Sequence, residues 1–242
     1  PDQLAVAVCT TDGSLYCAGD ADNAFTIQSI SKAFVYALAL QEHGVDAVVK
    51  RVGVEPSGEA FNELSLEEGS GRPLNPMINA GAITAHTLVG EPDTAPHERV
   101  ERIIRLLSDL AGRELSVDED VWRSEVATAD RNLAIAHMLR SHGILTDSAE
   151  EVVSAYSRQC AVLVTARDLA LMAATLANGG VQPVTGKQVF TGAQVRHVMS
   201  VMLTCGMYDS AGDWVSSVGI PAKNRPRNPN ERIKLVDPDY YI

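Results

Sequence analysis

Residues 25–44 read "FTIQSISKAFVYALALQEHG", and within them the chain changes its period. Upstream, "LAVAVCTTDGSLYCAGD" (4–20) alternates apolar residues on both sides of Asp12-Gly13, a strong short-range hairpin signal. Two antiparallel strands therefore open the chain. From Ile30 the repeat becomes helical: Ile30, Ala33, Phe34, Ala37 and Leu38 fall at i, i+3, i+4, i+7 and i+8, and Gly44 stands where a helix end favours glycine. A hairpin that runs straight into a buried helix points to an α+β fold.

Downstream of that helix, glycine, proline and asparagine crowd residues 55–82, which read as a long loop-rich segment. Helical periodicity returns at 97–111, where Val100, Ile103, Ile104, Leu107 and Ala111 share a face. It continues over 117–142 with a break near Asp130, over 148–158, and over about 191–204. Between the last two lies "TARDLALMAATLANGG" (165–180), with Thr165 and Asp168 as a capping pair and Asn178-Gly179-Gly180 as a stop. A two-stranded hairpin does not hold a domain of this size. The expectation is a larger antiparallel sheet carrying a helical cluster, with its remaining strands drawn from the C-terminal end. Yet residues 224–242 read "NRPRNPNERIKLVDPDYYI", and Pro226, Pro229 and Pro238 each remove a ladder donor. The expected organisation is one domain over 1–223 lacking C-terminal strands, then a divergent, irregular tail over 224–242 with at most an edge strand at 232–236.

A net charge of −11 with no long block of like charge argues against a nucleic-acid or anionic-membrane partner, since both call for a basic face. No apolar run reaches the roughly 18 residues of a membrane helix, and no signal peptide opens the chain. The first residue is Pro1 rather than Met, as in a fragment or a processed product. Cys9, Cys17, Cys160 and Cys205 are not set at metal-ligand spacings, and His137 and His142 miss the i,i+4 spacing of a helical metal pair. Cys9 and Cys17 could face each other across the hairpin, but buried free thiols in a reducing, cytoplasmic setting fit the pattern better. No metal and no cofactor is expected.

The chemistry is carried by "SISK". Residues three apart share a helix face, so Ser29 can meet Lys32 while Ser31 points elsewhere. At a helix start, unpaired N–H groups and the positive dipole end favour a developing anion. A lysine kept neutral by burial could take the serine proton. Ser29 is then the nucleophile if either serine is. Taken alone the tetrapeptide is weak, because a capping serine followed by a solvated lysine is the commoner case.

In its company the motif is more specific. "IQSISKAF", "EPSG…FN", "NPMINAGAI", "SE…DRN", "MAATLANGG" and "CGMYD…GIPAK" occur in this order, and together they resemble the serine-dependent glutaminase family over essentially residues 1–223. That family is itself similar to the penicillin-recognising Ser-x-x-Lys enzymes. The resemblance implies a β-lactamase/transpeptidase-like α+β fold. It also implies hydrolysis of L-glutamine to L-glutamate and ammonia through an acyl-enzyme, without metal or organic cofactor, in a homo-oligomer, dimer or tetramer. By motif match it implies Ser29 as nucleophile, Lys32 as base and Tyr208 as proton relay. Glu125 would meet the substrate ammonium, and Gln28, Asn79, Asn132 and Tyr156 its carboxylate and amide. Lys223 corresponds to the third-motif lysine, and Glu55, Asn62 and Asn75 read as loop scaffolding.

The pattern departs from the family at both ends. A substrate-site tyrosine that family members carry upstream of the first strand has no counterpart here. Three residues beyond Lys223, where the family supplies a second oxyanion donor, this chain has Pro226, which lacks an N–H. Two other readings therefore stay open: a catalytically impaired glutamine-binding remnant, and a β-lactam-interacting serine acylase.

Overall fold

The computed structural model describes residues 3–57 and 65–224. It opens with β1 (Ala5–Cys9) and β2 (Leu15–Gly19), an antiparallel pair with Val8 opposite Tyr16 and Ala5 opposite Gly19. The connection closes through Thr10 N–H to the Ser14 carbonyl at 3.0 Å, and Asp12 Oδ1 accepts from the Ser14 N–H at 3.0 Å. Gly13 sits at φ +87°, a conformation that costs glycine nothing and other residues appreciably. One hairpin face lies on a later helix, α8 (Ala166–Ala177), while Leu4, Val6, Val8 and Tyr16 on the other are all more than half exposed.

The expected larger sheet is not formed among the described residues. A second two-stranded sheet instead pairs β3 (Phe25–Thr26) with β4 (Leu163–Val164), Phe25 opposite Val164 and Thr26 opposite Leu163. Ile27 N–H continues this ladder to the Val162 carbonyl at 2.8 Å. The chain is thereby fixed just before it enters a 3-10 turn (Gln28–Ile30) and then α1 (Ser31–His43).

α1 is the centre of the molecule. Every residue from Ser31 to Leu40 is buried, as expected of a helix that is apolar on nearly all sides. It ends where Gly44, at φ +78°, donates its N–H to the Leu40 carbonyl, and the short α2 (Val45–Val49) follows. Around α1 pack α3 (Asn79–Thr87), α4 (Pro96–Ala111) and α9 (Gly192–Cys205). α4 begins with Pro96, whose missing N–H is no loss in a first turn, and buries Val100, Ile103, Leu106, Leu107 and Leu110 along one stripe. The remaining helices are α5 (Glu119–Ala127), α6 (Asp130–Ser141), α7 (Ala149–Cys160) and α10 (Ala211–Ser217). The break between α5 and α6 falls where Asp130 suggested it.

Apolar residues form two cores, one around α1, α4 and α9 and one between α3, α6 and α7, and Tyr208 packs against both. Each fully buried Leu, Ile or Phe contributes about 1.5–3 kcal/mol. Thr165 and Asp168 form a reciprocal capping box at the start of α8, and Thr191 and Gln194 form another at α9.

Two further readings of the sequence need correction. The segment 55–82 is not loop throughout, because α3 begins at Asn79. Its Gly81 lets the backbone close on the preceding loop, where an added Cβ would stand 1.9 Å from the Asn75 carbonyl oxygen. α2, α10 and the two-residue strands had no periodicity long enough to reveal them. Cys160 and Cys205 are buried free thiols, but Cys9 and Cys17 are only half-buried, and Cys9 stands opposite Leu15 rather than Cys17. Asn62, Pro226 and the segment 232–236 lie outside the described residues.

Candidate functional site

Several elements deliver side chains to one place beside Tyr208. Ser29 comes from the 3-10 turn ahead of α1 and Lys32 from the first turn of α1; both are buried. Lys32 Nζ donates to Asn79 Oδ1 at 2.7 Å, to the Met77 carbonyl at 3.1 Å and, more weakly, to the Tyr208 hydroxyl at 3.4 Å. These acceptors are neutral, and no carboxylate is among them, so burial drives the Lys32 pKa from its ordinary value down to about 7. Ser29 lies beside the Tyr208 hydroxyl and opposes part of the upward shift that burial imposes on the phenol. Serine and lysine thus both face the phenol.

Lys223 completes the cluster. Its Nζ donates to the Tyr208 hydroxyl at 2.6 Å and to the Asn224 carbonyl at 2.9 Å. Burial holds its pKa well below the usual lysine value, and the neighbouring Lys32 charge pushes the same way. Gly206 permits the approach, since a Cβ there would stand 1.8 Å from the Ala222 carbonyl oxygen.

The other expected residues form the rim. Asn79, at the first position of α3, donates from Nδ2 to Asn132 Oδ1 on α6 at 2.9 Å while accepting from Lys32. Gln28 Nε2 reaches Glu125 Oε1 at the end of α5 at 2.9 Å and the Thr26 hydroxyl at 3.1 Å. Tyr156 on α7 is buried deeper, with its hydroxyl against the Cys160 thiol and its ring edge-on to His86 at 6.3 Å. Burial raises the pKa of Tyr156 well above the usual phenol value. Asn75 accepts from the Met77 and Ile78 N–H groups at 3.0 and 3.3 Å and donates to the Glu55 carbonyl at 2.9 Å, which holds the loop under Asn79.

Two non-glycine residues among those described have positive φ, Gln28 at +51° and Tyr208 at +55°, and both belong to this cluster. Each carries a strain of about 1–3 kcal/mol that the surrounding contacts must hold in place. Nothing in the residue types announced it, because Gln and Tyr have no preference for this region. Also missed were Ser31, Gln159 and Cys160, polar groups packed directly beneath the cluster; their only signal is polar character inside otherwise buried helices. Among the described residues no group of three or more His, Cys, Asp or Glu is arranged to hold a metal, and no helix is long and apolar enough to cross a membrane.

With this geometry in view, the likeness to known proteins is specific. The family model described as Glutaminase matches residues 1–224. A glutaminase of Corynebacterium glutamicum is 57% identical over 224 residues, which make up 93% of this chain and 54% of that protein. The crystal structure of Mglu in its glutamate form superposes with a TM-score of 0.89 at 56% identity, covering 93% of this chain and 52% of the other. A Bacillus glutaminase structure gives 0.88 at 38% identity, covering 92% and 75%. The chain therefore spans about half the length of curated relatives it matches, and its α+β fold is that of the solved glutaminases.

Proposed function

We propose that this chain, which belongs to the glutaminase family, carries the residues that hydrolyse L-glutamine to L-glutamate and ammonia, with Ser29 as the nucleophile. The observation that supports this most is the convergence of Ser29, Lys32 and Lys223 on the Tyr208 hydroxyl, with Lys32 near neutrality. A serine needs a base whose conjugate acid is not already formed, and a lysine with a pKa of about 7 is one at ordinary pH.

In the proposed sequence Ser29 Oγ attacks the side-chain amide carbon and its proton passes to Lys32, directly or through Tyr208. The tetrahedral intermediate collapses as the amide nitrogen takes a proton from the Tyr208–lysine cluster, and ammonia leaves. Water then attacks the γ-glutamyl ester, its proton returns through the same groups, and glutamate is released. The N-terminal end of the α1 segment favours the developing oxyanion. Glu125 pairs with the substrate ammonium, while Asn79, Asn132, Gln28 and Tyr156 bound the carboxylate and amide.

The glutamate in the Mglu structure is the product of this reaction, which favours an amino-acid substrate over a β-lactam. We further propose a cytoplasmic setting and assembly as a homo-oligomer, dimer or tetramer. The exposed apolar outer face of the hairpin is consistent with burial by more polypeptide. Ammonia release from glutamine, compared between the protein and Ser29→Ala, tests the reading. Release by the first and not by the second is expected, and equal release from both would remove Ser29 from the mechanism.

A further inference from the structure

Beneath the reactive turn runs a chain of buried hydrogen bonds that the proposed reaction does not use. Ser31 Oγ lies 2.7 Å from the Gln28 carbonyl oxygen, Gln159 Nε2 lies 2.9 Å from Ser31 Oγ, and Gln159 Oε1 lies 2.9 Å from His86 Nδ1. Ser31 and Gln159 are fully buried and His86 is 1% exposed. The three sit on α1, α7 and α3, so the chain crosses three helices.

The direction of every bond follows from its last member. A carbonyl only accepts, so the Ser31 hydroxyl proton is committed to Gln28. Ser31 Oγ must then accept, which turns the amide NH2 of Gln159 toward it and the Gln159 oxygen toward His86. His86 must carry its proton on Nδ1, and burial, which lowers its pKa to about 4, keeps the ring neutral with that single tautomer. The Cys160 thiol, held protonated by burial, lies beside the Ser31 hydroxyl.

What this chain ends on is the strained residue. Gln28 is the residue at φ +51°, it immediately precedes Ser29, and its side chain holds Glu125. Its carbonyl also accepts from the Ser31 backbone N–H, so Ser31 grips the strained peptide with two donors. A conformation of this kind persists only where its neighbours over-determine it.

We infer that Ser31, Gln159 and His86 form a positioning relay that holds Gln28 in its left-handed conformation, and through it sets Ser29 toward Tyr208 and Gln28 toward Glu125. Ser31, the serine that does not react, is the residue that aims the one that does. The inference rests on the proposed role of Ser29 for its kinetic consequence, but not for its structural one.

The test pairs crystal structures with glutamine kinetics for the protein, Ser31→Ala and Ser31→Thr, with Gln159→Met as a second break in the relay. Ser31→Ala is expected to bring residue 28 out of positive φ and separate Gln28 from Glu125. It should lower kcat about 10- to 100-fold at temperatures where the variant remains folded, the usual scale for a misplaced reacting group. Ser31→Thr keeps the hydroxyl and should retain both φ and kcat. Gln159→Met should shift φ at residue 28 in the same direction as Ser31→Ala, and it decides the matter if Ser31→Ala does not fold. A Ser31→Ala protein with residue 28 still near +51° and an unchanged kcat would overturn the relay, whatever its melting temperature. Absence of glutamine hydrolysis by the unaltered protein would refute the proposed reaction instead, and φ at residue 28 in the variants would still decide the relay.

Discussion

Lys32, Asn79 and Asn132 sit on helices whose other faces are apolar core, whereas Tyr208 and Lys223 sit on a 3-10 turn (Tyr208–Ser210) and a non-helical segment. The first wall is held by two cores that pack α1, α3, α6 and α7 together. The second is held by the two-sided packing of Tyr208, which must also hold its strained φ of +55°, and by one close approach at Gly206. The same polar cluster is thus rigid on one side through burial and on the other through a few specific contacts. Steric insults of equal size should therefore cost stability on one side and activity on the other.

The largest effect belongs to Lys32. Replacing it with Met should reduce turnover about 100- to 10,000-fold, the range for loss of a general base. The same change should stabilise the protein near neutral pH, because a buried cation with no carboxylate beside it is removed. The sign follows from proton binding. The folded pKa of about 7 lies below that of an unfolded lysine, about 10.4, so between these values the unfolded chain holds more protons. The contribution of Lys32 to stability therefore rises as pH increases from about 7 toward about 10, by at most about 1.4 kcal/mol per unit. Below 7 its full penalty is present. Urea titrations at several pH values should show that part of the slope vanish in Lys32→Met, and an unchanged slope would mean that Lys32 stays charged in the folded state.

The two glycines sharpen the contrast. Gly81→Ala forces a Cβ to within 1.9 Å of the Asn75 carbonyl oxygen inside the helical wall, where neither side can yield. A loss of about 1–3 kcal/mol is expected, several degrees of melting temperature. Gly206→Ala meets the Ala222 carbonyl oxygen at 1.8 Å and the Met202 carbonyl oxygen at 2.5 Å, and the 221–224 segment belongs to no helix. It should move out, taking Lys223 from Tyr208, with less than about 1 kcal/mol of lost stability and a drop in kcat. Calorimetry beside kinetics separates the cases, and equal stability losses in the two variants would show that both walls are held in the same way.

That contrast also explains what the sequence made legible. The hairpin, α1 and its Gly44 stop, and the helices from α4 to α9 declare themselves by period and caps, because one neighbouring turn or one buried face decides each of them. Ser29 and Lys32 follow from helical spacing once their motif is placed. The left-handed Gln28 and Tyr208, the close approaches at Gly81 and Gly206, and the buried partnership of Ser31 with Gln159 depend on residues far away in sequence. Gly206 matters only because Ala222 returns to it. The short strands β3 and β4 exist because residues 25–27 and 162–164 meet, not because either stretch is strand-like on its own.

The proposed mechanism has Ser29 activated by its convergence with two lysines on Tyr208. The most direct measurement is peptide mass spectrometry after treating the protein with a glutamine analogue that bears an electrophilic group at the γ-position. A single covalent adduct on Ser29 is predicted, absent from Ser29→Ala and slowed in Lys32→Met. An adduct on Lys32, Tyr208 or Cys160 with Ser29 unmodified, or labelling of Ser29 that is indifferent to Lys32, would contradict it.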